Sequence, residues 1–291
     1  QPMYNFVILT DNTVDMPVEW LNEHEVGYEC LPCSMNGVVY DKKNPIDTKL
    51  FYRQMREGAM PTTSQMNPAM AEAMFETYLQ EGKDILYLAF SSGLSGTCNS
   101  ARIAAEELKE KYPERQIKIM DSLAASMGEG LLLYYAVKLR DKGKNLDEIC
   151  DWLLENRLHL CHVFTVDDLN HLHRGGRVSK ATAVLGTLAN IKPMLHVDNE
   201  GKLISIGKVR GRKKSLATLV SMMEERIGKY CDKNEAVFIS HGDCEADAEY
   251  VAGLVKEKFG IENIMIHPIS ATIGAHSGPG TVALFFLGEY R

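Results

Sequence analysis

Ile85-Leu86-Tyr87-Leu88-Ala89-Phe90 runs directly into Ser91-Ser92-Gly93-Leu94-Ser95-Gly96-Thr97, and a helical pattern follows from Ala101 to Tyr112. A short apolar run, a loop of hydroxyls and glycines and then an amphipathic helix make the repeating unit of a parallel sheet. The same order recurs on both sides. Phe6 to Thr10 leads into Asp11-Asn12-Thr13, after which Asp15-Met16-Pro17 supplies a cap and a first-turn proline for a helix toward His24. Ile117 to Met120 leads into Asp121-Ser122 and a helix through Leu139. Strands alternating with helices of about 10–15 residues predict an α/β fold whose parallel sheet is covered on both faces.

Beyond Asn145 the pattern changes. Leu146 to Leu158 reads as one amphipathic helix, and His159 to Val166 starts a new strand. Short helices follow near Leu169 and from Ser179. Pro193 to Val197 and Leu203 to Val209 form a hairpin turned by Asn199-Glu200-Gly201, which makes the second sheet a mixed one. A helix from Lys213 to Tyr230, strand Val237 to His241, helix Asp247 to Phe259 and strands Ile264 to Ile269 and Thr281 to Leu287 complete it. The expected division is an N-terminal α/β domain over 1–160 and a C-terminal α/β domain over 161–291, and 291 residues suffice for two cores.

The composition, 45% hydrophobic and 24% charged, is that of a globular protein. No apolar run approaches the roughly 18 residues of a membrane helix, and the first residues lack a basic segment followed by an apolar one, so a cytoplasmic location is expected. A net charge of −7 argues against nucleic acid as a partner and leaves room only for transient membrane contact. Seven scattered cysteines fit a reducing compartment. Cys30-Leu31-Pro32-Cys33 has redox spacing, but it lies in a strand-like stretch from Tyr28 to Tyr40 and reads as buried structural thiols.

Ligands of open parallel sheets gather outside the carboxyl ends of the strands, where the loops of this chain carry hydroxyls and glycines. Thr62-Thr63-Ser64-Gln65 precedes a helix beginning near Pro68, and Ser91 to Thr97 precedes another. Free N–H groups at a helix start, with hydroxyls beside them, can receive a small anion such as a carboxylate. The same hydroxyls can equally be helix caps. Ile273-Gly274-Ala275-His276-Ser277-Gly278-Pro279-Gly280 reads as a glycine-rich loop that brings backbone and one imidazole close to a ligand.

Together Asp11-Asn12-Thr13-Val14-Asp15-Met16-Pro17, Thr63-Ser64-Gln65, Ser91 to Thr97, Asp121-Ser122, Gly175-Gly176-Arg177, Lys208-Val209-Arg210 and Gly274 to Gly280 resemble the motif series of the DegV family, in family order. The resemblance implies a two-domain α/β fold holding a long-chain fatty acid between the domains. It also implies a separate fatty acid kinase as partner, to which the bound carboxylate is presented, and no catalysis or cofactor in the chain itself. Carried over by motif, Thr63, Ser95 and His276 bind the carboxylate, and Ser92, Gly96 and Ser277 extend the pocket. Arg177 and Arg210 lie toward the kinase and its phosphate. Met66-Asn67, Cys98-Asn99 and Ser277 depart from the usual family residues, which bears on tail preference.

Physical chemistry supports such a ligand. Burying about sixteen carbons at ~0.8 kcal/mol per methylene gives roughly ten kcal/mol before ordering costs, so the polar loops need only fix the head group. Three other chemistries compete with it. A serine hydrolase would use Ser95 in Gly93-Leu94-Ser95-Gly96-Thr97 with His276 and Asp11, although the fifth residue of the elbow is Thr97 and not glycine. A nucleotide-dependent enzyme lacks both standard phosphate-cradling loops. A metal site at Asp167, Asp168, His171 and His173 reads instead as capping carboxylates followed by surface histidines, with no metal expected. Lys208, Arg210, Arg212, Lys213 and Lys214 make a basic cluster suited to an anionic partner surface.

Overall fold

A computed structural model describes residues 4–185 and 190–291. The chain opens with strand β1 (Phe6–Asp11), helix α1 (Val18–Glu23) and strand β2 (Val26–Glu29). An excursion follows, made of β3 (Cys33–Met35), β4 (Val38–Tyr40), α2 (Thr48–Arg56) and β5 (Thr62–Thr63). Regular alternation then resumes with α3 (Pro68–Leu79), β6 (Asp84–Ala89), α4 (Thr97–Lys111), β7 (Ile117–Asp121), α5 (Ser126–Asp141) and α6 (Leu146–Asn156). The second half comprises β8 (Leu160–Thr165), α7 (Asn170–Arg174), α8 (Lys180–Leu185), β9 (Ile191–Val197), β10 (Leu203–Arg210) and α9 (Arg212–Ile227). It ends with β11 (Val237–His241), α10 (Glu245–Phe259), β12 (Ile264–Pro268), α11 (Ala271–Ser277) and β13 (Val282–Leu287).

The first sheet is wholly parallel, in the order β2-β1-β6-β7. The second is mixed, in the order β10-β9-β8-β13-β11-β12, with β11–β12 its parallel pair and β9–β10 the expected hairpin. Helices α3 and α4 cover one face of the first sheet, where Phe75 and Ala101 pack on Tyr87. Helices α9 and α10 cover the outer face of the second, where Leu219 and Val251 pack on Val237. Between the sheets lies α5. Its consecutive Leu131, Leu132 and Leu133 are all fully buried, so the middle of this helix has no water-facing side, and exposure begins only toward its C-terminal end at Lys138 and Asp141. One apolar cluster therefore runs from Ile8 and Leu88 through α5 to Phe164 and Phe285.

Several local expectations change. Asp15 does not cap α1: it sits in the left-handed region at φ 53° while Pro17 occupies the cap position. The stretch from Tyr28 to Tyr40 is not continuous, because Asn36 and Gly37, both at positive φ, turn β3 back on β4. Burial pushes the thiols of Cys30 and Cys33 up to about 11, which suits structural cysteines. The glycine-rich segment expected as a loop is largely helical: α11 runs from Ala271 to Ser277 and stops at Gly278, which has φ 82°.

Candidate functional site

Two cavities meet where the carboxyl ends of the first sheet face α7 and α11. Phe90, Arg177 and His276 line both. The inner cavity, about 80 Å³, is walled by Leu94, Phe164, Leu203, Ile273 and Phe285, with Ser126 on its wall. The outer cleft, about 460 Å³, carries Thr63, Ser95, Gln65 and Arg174. An apolar channel thus opens into a polar mouth.

Thr63 on β5 and His276 in the last turn of α11 are joined by a hydrogen bond of 2.7 Å from Oγ1 to Nε2. The other ring nitrogen, Nδ1, lies 3.3 Å from Nη1 of Arg177. Guanidinium groups only donate, so Nδ1 accepts and the ring proton resides on Nε2. That N–H donates to Thr63, which leaves the threonine's own proton free for an acceptor in the cleft. Burial, followed by the charges of Arg177 and Arg174, lowers the His276 pKa to about 4, so the ring is neutral at pH 7. Gly175 is required here, because a Cβ on it would lie 2.3 Å from His276 Nδ1.

Arg177 ties this pair to the opposite loop. Its Nη2 and Nε donate to the Leu94 carbonyl at 3.0 and 3.3 Å, and Nη1 donates to Gly175 O. The sequence assigned it toward a partner; the structure puts it in the wall between the two cavities. Ser95 lines the cleft, its Oγ accepting the Thr97 N–H at 3.1 Å and lying 3.0 Å from Thr97 Oγ1, one residue before the Gly96 that holds the cap position of α4. Gly96 N–H donates to Gln65 Oε1, and Ser277 in the inner wall bonds back to the Ile273 carbonyl. Ser92 is exposed and contributes its backbone N–H to the Asp121 carboxylate.

Sequence reasoning passed over Ser91, its neighbour. This buried hydroxyl donates to the Gly201 carbonyl at the tip of the β9–β10 hairpin, joining the two sheets beside the cavity. It also passed over His162, a buried ring in the inner wall that accepts the Ala125 N–H at Nε2. The only signal for His162 was a histidine inside a strand whose other residues up to Phe164 are apolar.

The competing chemistries are not assembled. Asp11 accepts from Thr13 and Tyr87 in a fully buried site, and His276 is bonded to Thr63, so Ser95, His276 and Asp11 form no triad. Among the described residues no group of acidic, histidine or cysteine side chains could hold a metal ion. Asp167 pairs with Lys192 and Arg212, while His171 accepts from Arg174. The basic cluster also divides. Arg212 is held by Asp247, Asp167 and the Gly280 carbonyl, and Lys213 lies over the Tyr250 ring, whereas Lys208 and Arg210 are exposed on β10.

The chain is similar to known proteins over nearly its whole length. A sequence profile described as "Uncharacterised protein, DegV family" matches residues 5–289. A DegV domain-containing protein of Clostridium perfringens is 46% identical over 291 residues, covering 99% of each chain. Among solved structures, a DegV family protein from Thermus thermophilus described by its fatty acid binding superposes with a TM-score of 0.85 at 28% identity, covering 97% of this chain and 99% of that one. DegV of Bacillus subtilis, described as a fatty acid binding protein, gives 0.84 at 27% identity over 98% of this chain and 99% of its own. With the profile spanning nearly every residue and the fold retained from end to end, the chain belongs to the DegV family.

Proposed function

We propose that this protein binds a long-chain fatty acid between an N-terminal domain, 1–160, and a C-terminal domain, 161–291, and acts as a carrier. The observation that carries the reading is the Thr63 hydroxyl, turned donor by the His276 tautomer, at the junction of an apolar cavity and a polar cleft. The tail enters the inner cavity, which at about 80 Å³ is well below the roughly 300 Å³ of an ordinary ligand pocket and has to widen to take the whole chain. The carboxylate meets the Thr63 hydroxyl, oriented by His276 Nε2–H, and Ser95, with Arg177 supplying positive charge and Ser277 farther in on the inner wall, while Ser92 and Gly96 line neither cavity. Relatives described as fatty acid binding support this class of ligand.

The outer cleft leaves the head group accessible, which suits presentation to a separate fatty acid kinase that forms the acyl phosphate. Exposed Lys208 and Arg210 provide an anion-seeking surface for that partner. The carrier works in the cytoplasm and touches membranes only transiently. Mass spectrometry of organic extracts from natively purified protein tests the central claim. One long-chain fatty acid per chain is expected, and an empty extract together with no binding of added palmitic acid would overturn it.

A further inference from the structure

A buried polar chain crosses from one sheet to the other behind the inner cavity. Asp15 Oδ2 accepts from Ser126 Oγ at 2.6 Å, and Ser126 Oγ is 2.9 Å from Ser240 Oγ on β11. Asp15 Oδ1 accepts the Ser270 N–H at the start of α11, the helix that carries His276. The Asp15 carbonyl accepts from His267 Nδ1 at 2.8 Å. Asp15 is 3% exposed, Ser126 6% and Ser240 0%. Asp15 and Ser126 both stand at φ 53°, with Leu123 nearby at φ 50°. Left-handed backbone is strained at residues that are not glycine, so the surrounding contacts hold this junction in place.

The charges around Asp15 offer it no compensation. β1 contributes Asp11 and α5 contributes Glu129, both of which burial holds above the usual carboxylate range. α2 contributes Tyr52, fully buried, and β12 contributes His267, which burial keeps toward the neutral form. Glu19 of α1 and His241 of β11 lie beyond His267. Among the described residues no cation pairs with Asp15. An ionised carboxylate here must be served by hydroxyl and amide donors alone, whereas a carboxylic acid loses much less on leaving water.

We propose that Asp15 is a proton-operated clasp between the sheets, closed when protonated and loosened when ionised, that governs release of the tail from the inner cavity. Burial raises the group from 3.8 to about 7, so the clasp changes state near neutral pH. The sign follows from linkage. In a loosened state water reaches the carboxylate and its pKa falls toward the ordinary value, so closing takes up a proton, which Asp15 Oδ2 then donates to Ser126 Oγ while the Ser126 hydroxyl turns to Ser240 Oγ, and rising pH favours loosening. What parts is the first turn of α5, where Ser126 forms the cavity wall, from β11 and α11.

This inference rests on the fatty acid reading, and its test separates the two. Release of radiolabelled palmitic acid from the full chain to phosphatidylcholine vesicles is timed between about pH 6 and pH 8. One proton per closure gives up to tenfold per pH unit, and about a tenfold rise in release rate is expected across the window. Asp15→Asn, a neutral isostere, should stay slow throughout. Ser240→Ala removes a donor that serves the anion and should shift the midpoint to higher pH. Normal binding with the same pH profile in wild type and Asp15→Asn, or a midpoint unmoved by Ser240→Ala, would overturn the clasp. Failure to bind palmitic acid at any pH would instead overturn the fatty acid reading. Should Asp15→Asn not fold, the Ser240→Ala midpoint decides.

Discussion

The imidazole of His276 and the hydroxyl of Thr63 meet at 2.7 Å across a sequence separation of 213 residues, and the direction of that hydrogen bond decides what the cleft can bind. Arg177 at Nδ1 makes the ring a donor at Nε2, so Thr63 turns its own proton outward.

Thr63→Val keeps the shape and removes that proton. A hydrogen bond to a charged group contributes ~1.5–3 kcal/mol, so fatty acid affinity should fall roughly ten- to a hundredfold. Calorimetric titration with palmitic acid measures this directly. Unchanged affinity would place the carboxylate elsewhere.

Ser95→Ala separates carrier from hydrolase. The variant should lose about as much affinity as Thr63→Val, and also ~1 kcal/mol of stability with the hydrogen bond from the Thr97 N–H. Wild-type protein mixed with acyl nitrophenyl esters should show no burst of nitrophenol. A burst abolished by Ser95→Ala would make Ser95 a nucleophile.

Arg210 lies outside both cavities on an exposed strand. Arg210→Ala should therefore retain its lipid and, with a fatty acid kinase and ATP supplied, form acyl phosphate several-fold more slowly. Loss of the lipid in the variant would assign Arg210 to the fold or the pocket.

His276 also leaves a mark on the pH dependence of stability. Its pKa falls from 6.5 to about 4 in the folded protein, so the unfolded chain binds the extra proton first as pH drops. The stabilising effect is complete above about pH 6.5 and is lost toward pH 4, a difference of about 3 kcal/mol. Urea unfolding of His276→Gln should lack this acid-side loss relative to wild type. Parallel curves for the two proteins would show that the ring is not buried neutral.

Much of the layout could be read from residue order. The Ile85 to Thr97 unit gave strand, loop and helix because apolar run, hydroxyls and periodicity all agree, and Thr63, Ser95 and His276 do converge on one cleft. The departures have physical causes. Asp15 resembles a cap in sequence, but its carboxylate is claimed by Ser126 and Ser270, more than a hundred positions away. Three glycines made 273–280 look like a loop. Gly274 is instead helical, and it is glycine because a Cβ there would strike Tyr52 Oη at 2.3 Å, a contact that no local pattern records. Arg177 looked like a surface arginine until Leu94 and His276 supplied its acceptors.

The three leucines of α5 that face no water bear on how the molecule comes apart. Either sheet alone would expose one side of that helix, at roughly 1.5–3 kcal/mol for each leucine, so neither half is expected to be an autonomous folding unit. Heat or denaturant should then melt both sheets in a single cooperative transition, even though the ligand lies between them. A gene fragment ending at residue 160 should yield insoluble product. For the same reason, insertions and deletions should be tolerated in the outer helices well before they are tolerated in the middle of the chain.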